Sequence, residues 1–100
     1  MKVEMIIPNQ DNDGTDNALV IESTISQLCS MYGGCTAYAA NGYWVNNAGR
    51  LFKDEVTVLV SAALENSKAD ELRAIARKAL KHTDQEAIFI SIGDKAEIIE

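Results

Sequence analysis

The sequence predicts an α+β domain in which two helices cover one face of an antiparallel sheet. Three observations carry this expectation. Two stretches, 18–32 and 67–80, repeat apolar residues at helical spacing. Short runs rich in Val, Ile, Tyr and Phe lie around and between them. Their order is strand, helix, strand, strand, helix, strand, with a short strand at the end, which is the split-βαβ, ferredoxin-like arrangement.

Each element has its own signal. Residues 2–7 are β-rich and stop at Pro8, the only proline, which cannot donate to a sheet ladder. The segment 8–16 concentrates Asn, Asp and Gly and reads as a loop. Its Asp11 and Asp13 alternate as in a calcium loop, but Thr15 stands where a third ligand is needed and no glutamate closes a twelve-residue frame. In 18–32, Ile21, Ile25, Leu28, Cys29 and Tyr32 share one helical face, and Gly33-Gly34 supply a left-handed stop. Residues 35–44 then read as extended, 46–49 as a turn, and Val56, Val58 and Val60 as the centre of a third strand with both faces covered. Ser67 with Asp70 and Glu71 resembles a capping box, followed by the stripe Leu72, Ile75, Ala76, Ala79 and Leu80. Residues 87–92 give the fourth strand, Gly93-Asp94 a turn, and 96–99 the short last strand, so that 1–100 form a single domain.

Composition limits the function. With 100 residues, 47% apolar and 24% charged, the chain supports one core and gains from a subunit interface. A net charge of −6 opposes nucleic acid and anionic membrane as partners, since both need clustered Lys and Arg. No stretch approaches the ~20 apolar residues of a membrane span. No signal-like run opens the sequence and only Cys29 and Cys35 occur, which leads us to expect a cytoplasmic protein with reduced, packed thiols. His82 is the only histidine and falls at a helix end, where it complements the dipole, so no metal is expected. Neither a nucleophile elbow around a serine nor a phosphate-binding glycine loop is present, and no cofactor is expected.

Tyr38, Tyr43 and Trp44 are the most suggestive cluster, suited either to stacking on a purine or to anchoring an interface. Arg50 and Lys53 flank the adjoining loop as solvated charges or as clamps for an anionic group. The run from Tyr32-Gly33-Gly34 through Gly42-Tyr43-Trp44 to Asp54-Glu55 and the valine-rich strand resembles the β2–loop–β3 region of the PII/CutA superfamily. That resemblance implies a homotrimer packed sheet to sheet, with a PII-like fold and small ligands in clefts between subunits. The nucleotide-binding residues of PII proteins and the metal ligands of CutA have no match here.

A narrower resemblance is to phage enzymes that cleave S-adenosylmethionine. It rests on Tyr32-Gly33 after the first helix, Gly42-Tyr43-Trp44 near the end of the second strand, and the strand-helix-strand that follows. Those enzymes place a glutamate on the second strand, whereas 35–40 reads CTAYAA, without a carboxylate. Three readings follow: a trimeric binding protein for a nucleotide or adenosyl metabolite, with 45–52 closing over the ligand; an S-adenosylmethionine lyase; or a structural protein whose loop is the contact surface. For any ligand the expected contacts are Tyr38, Tyr43, Trp44, Arg50 and Lys53.

Overall fold

The first strand, β1 (Lys2–Pro8), runs down the middle of the sheet because it is apolar on both sides. Val3, Met5 and Ile7 are buried on one face and Ile6 is half-buried on the other. The computed structural model, which describes residues 1–64 and 68–100, continues with α1 (Ala18–Tyr32), β2 (Thr36–Val45), β3 (Leu51–Ala62), α2 (Ala69–Lys81), β4 (Ile88–Ile92) and β5 (Lys95–Ile99). The strands form one five-stranded sheet in the order β2-β3-β1-β4-β5, with every neighbouring pair antiparallel. This is a ferredoxin-like α+β fold extended by one edge strand. Ser67, expected to cap the second helix, lies outside the described residues.

Register decides what each face presents, because successive strand residues point to opposite sides. One row across the sheet reads Ala37, Leu59, Met5, Ile90, Glu97. Its three central members are fully buried beneath Leu28 of α1 and Leu72, Ile75, Ala76 and Ala79 of α2. At the end of that row Glu97 takes a two-pronged ion pair from Arg73 of α2, at 2.9 and 2.7 Å, which ties helix to edge strand. The next row, displaced by one residue, reads Tyr38, Val58, Ile6, Phe89, Ile98 and faces away from both helices.

The helices follow their patterns. In α2, Asp70 and Glu71 open the first turn while Lys78 and Lys81 occupy the last, which suits the helix dipole by about 0.3–1 kcal/mol for each charge. His82 is the C-cap, with its N–H directed at the carbonyls of Ala79 and Leu80. Helix α1 stops at Gly33, whose φ of 86° is left-handed and lets its N–H reach the Cys29 carbonyl at 2.8 Å.

Two expectations need correction. Cys29 is exposed rather than buried, because Thr24 and Leu28, one turn apart, take the centre of the helix stripe. The Thr24 hydroxyl is satisfied by the Val20 carbonyl at 2.8 Å, so a polar group is accepted there at little cost. The closing loop expected at 45–52 is a short turn instead. Val45 and Leu51 already pair, as do Trp44 and Phe52. Asn46 Oδ1 accepts from the N–H groups of Ala48 and Arg50, and Gly49 closes the turn with φ 81°.

Candidate ligand site on the open sheet face

The sheet face away from the helices is apolar and neither α1 nor α2 covers it, although Val56 and Val58 at its centre are buried among their neighbours at 6% exposure. Tyr38 is 49% exposed, Trp44 51% and Ile98 57%. Apolar rows this wide are rare on a free surface and mark a binding or subunit contact.

At the far end of the β2–β3 hairpin the same face carries a stack. The rings of Trp44 and Phe52 lie 4.4 Å apart and 13° from parallel. The guanidinium of Arg50 sits 4.9 Å from the Phe52 ring centre. On the other side, the Trp44 indole N–H donates to Asp54 Oδ2 at 3.0 Å. Beside the stack is a cleft of about 530 Å³, within the range of small-molecule sites, bounded by Gly42, Trp44, Asp54, Val56, Phe89 and Ile98 with the 85–87 segment. Its charged lining side chains are Asp54 and Glu86, both acidic.

The five residues expected from sequence divide between the two faces. Tyr38 and Trp44 share the open face. Tyr43 and Lys53 pair across the hairpin at the alternate position, as strand alternation requires, yet Tyr43 also borders the cleft, and Lys53 does not. Arg50 joins the stack through Phe52. Phe52, Gly42 and Asp54 join the site beyond the residues expected from sequence, and Gly42, Trp44 and Asp54 all fall within the 32–55 run that carries the family resemblance. The alternation of 42 and 44 with 52 and 54 across a hairpin is the signal that could have found them. The carboxylate missing from 35–40 has a near neighbour, since Asp54 lies directly opposite Gly42 and Glu55 opposite Asn41.

Other groups have local explanations. Cys35 is half-buried against the core, and burial pushes its thiol up, partly offset by the nearby Ser61 hydroxyl. That is the opposite of an activated nucleophile. Asp11, Asp13 and Asp84 converge within 4.8 Å. Each already accepts a hydrogen bond: Asp84 from the Asn12 N–H, Asp13 from the Thr15 N–H, and Asp11 from the Asn17 amide. They fasten the 9–17 loop to the end of α2. A second cleft, about 390 Å³, lies between the helices beside Leu19, Lys78 and His82.

Strand order, register and the uncovered face define a ferredoxin-like α+β protein with an aromatic, acidic cleft on its sheet. No protein-family model matches the sequence, and no curated protein matches it. Solved structures do share the fold. A phage SAM lyase in complex with S-methyl-5′-thioadenosine matches with a TM-score of 0.72 at 12% identity, over 98% of this chain and 87% of that one. A phage SAM lyase in its apo state matches at 0.64 and 14% identity, over 98% and 86%.

Among the described residues, no helix is long and apolar enough to cross a membrane.

Proposed function

We propose that the chain is an S-adenosylmethionine lyase that works as a PII-like homotrimer in the cytoplasm, with its site on the open sheet face at a subunit boundary. The observation that carries this reading is an acidic, aromatic cleft in a fold shared with a phage SAM lyase solved with methylthioadenosine. S-Adenosylmethionine bears a sulfonium, an ammonium and a carboxylate, for a net charge of about +1 at neutral pH. Asp54 and Glu86 attract such a cation, as does the overall charge of −6. They repel phosphates, which sets a nucleotide-binding module behind the lyase reading.

The chemistry asks little of the protein in acid or base. An oxygen of the substrate's own carboxylate attacks the γ-carbon. The bond from that carbon to sulfur breaks, and sulfur keeps the electron pair. The products are homoserine lactone and neutral methylthioadenosine, with no proton or water consumed. Because a negative and a positive group cancel, transfer from water to an apolar surface speeds the step. Trp44 and Ile98, with the half-buried Ile6 and Phe89, supply that surface, and a second copy packed over the face would exclude water. Holding the carboxylate near the γ-carbon contributes further, as a well-oriented intramolecular reaction has a large effective concentration.

Incubation of the purified protein with S-adenosylmethionine, followed by chromatography, tests the reading. Methylthioadenosine and homoserine lactone should accumulate in equal amounts. Intact substrate in the presence of folded protein overturns it, and a ligand-induced rise in melting temperature without turnover supports the binding module instead.

A further inference from the structure

Gly42 sits inside a ten-residue strand without a backbone reason to be glycine. Positive φ angles occur at Gly14, Gly33, Gly49 and Gly93, and Gly42 is not among them, so its conformation is open to any residue. Glycine weakens a strand interior, and where the backbone does not demand it, it marks a place where something approaches closely. A Cβ at 42 would stand 3.4 Å from Val56 Cγ1, on the floor of the cleft. That is ordinary van der Waals contact, so glycine leaves a notch about one methyl group deep above Val56.

Trp44 borders the notch two residues along the same face of β2. A half-exposed tryptophan ordinarily swings between rotamers. This one is fixed twice, with Phe52 covering one ring face and Asp54 holding the indole N–H. With one face taken by Phe52, the exposed surface of the ring belongs to its other face and its edges.

Taking the adenosyl-ligand reading as given, we infer that the free face of Trp44 is the stacking platform for the purine ring, that Gly42 is the notch that admits it, and that Asp54 positions the platform. Asp54 acts through Trp44 and is a positioning residue. The arrangement selects for a flat heterocycle, since a non-planar group gains little from a fixed ring face. It also predicts that the nucleoside half of the substrate is recognised by one chain, whatever the neighbouring copy adds.

Trp44 is the only tryptophan, so its fluorescence reports on the platform without labelling. Methylthioadenosine, which is uncharged, is the probe. Wild-type emission should change saturably as it binds. Gly42→Ala should weaken binding by about tenfold or more, the scale of one lost base stack, while the melting temperature stays level or rises, since Ala restricts the unfolded chain. Asp54→Asn keeps an oxygen that accepts the indole N–H and should leave methylthioadenosine affinity within about twofold, whereas Asp54→Leu should lower it by about tenfold. For S-adenosylmethionine, which is cationic, Asp54→Asn should raise KM even though the platform is intact.

No binding up to millimolar probe, saturable binding that leaves Trp44 emission unchanged, or unaltered affinity in Gly42→Ala or Asp54→Leu each overturns the inference. Turnover measured on the same samples separates it from the lyase reading. Normal cleavage and binding by Gly42→Ala sinks the platform alone, and predicted fluorescence changes without cleavage sink the lyase alone.

Discussion

Placing aspartate at Ile98 tests whether the open sheet face is covered by another copy. Full burial of an isoleucine side chain stabilises by ~1.5–3 kcal/mol. Ile98 is 57% exposed in the single chain, so roughly half of that, ~1–1.5 kcal/mol, is left for a neighbour to provide. A carboxylate without a partner against the apolar row costs at least the ~1–3 kcal/mol of a neutral polar group more. The sum, ~3 kcal/mol, applies to each protomer, and every ~1.4 kcal/mol is a factor of ten in an equilibrium constant. In an isolated chain the same change removes only the part of the side chain already packed there, about 1 kcal/mol, so the mass rather than the melting temperature is the deciding readout. Light scattering at micromolar concentration should therefore give a trimer mass for the wild type and a smaller species for Ile98→Asp, with a lower melting temperature. A monomeric wild type, or a variant with unchanged mass, refutes the covered face.

If the Arg50 guanidinium, which lies on Phe52 and outside the cleft lining, is the clamp for the substrate carboxylate, Arg50→Ala should raise KM for S-adenosylmethionine by about tenfold, the scale of a lost charge-assisted contact, with little effect on melting temperature or on methylthioadenosine affinity. Equal KM values for variant and wild type would remove Arg50 from the site. Arg73 holds the Glu97 carboxyl below its usual 4.5, so the pair's stabilisation is present above that pH and is lost as pH falls through the lower folded value. Between about pH 5 and about pH 3 the wild-type melting temperature should thus drop further than that of Glu97→Gln, and identical drops in thermal scans would contradict this. The double variant Cys29→Ala, Cys35→Ala should fold with a loss of about 5 °C or less, since one thiol is exposed and the other half-buried. A native disulfide in the wild type by mass spectrometry, with loss of folded protein in the variant, would overturn that expectation.

Local pattern carried the elements into the sequence, and pairing between distant segments hid the site. The stripe Leu72, Ile75, Ala76, Ala79 is legible because one period runs through it, and all four are buried. Strand order also follows from short connections, as 46–50 joins β2 to β3 in a tight turn. In α1 the period was right but its centre was not. Cys29 outranks Thr24 in hydrophobicity, yet a single hydrogen bond to Val20 lets threonine take the buried place. The Trp44–Phe52 stack and the Trp44–Asp54 bond depend on the hairpin register, in which 44 faces 52 and 42 faces 54. The approach of Asp84 to the 9–17 loop and of Arg73 to Glu97 joins residues more than 20 positions apart, which no local spacing encodes. Gly42 reads as a strand-weakening residue until its neighbour Val56 is in view.

The most direct test of the central claim is cleavage of S-adenosylmethionine in water enriched with oxygen-18, with the label located in the homoserine formed when the lactone opens. Intramolecular attack takes the oxygen on the γ-carbon from the substrate's carboxylate, and later hydrolysis of the lactone at its carbonyl places solvent oxygen in the carboxyl group. The account predicts heavy oxygen in the carboxyl group and ordinary oxygen in the γ-hydroxyl, alongside equimolar methylthioadenosine. Heavy oxygen in the γ-hydroxyl, which means direct attack by water, or substrate that survives intact, contradicts it.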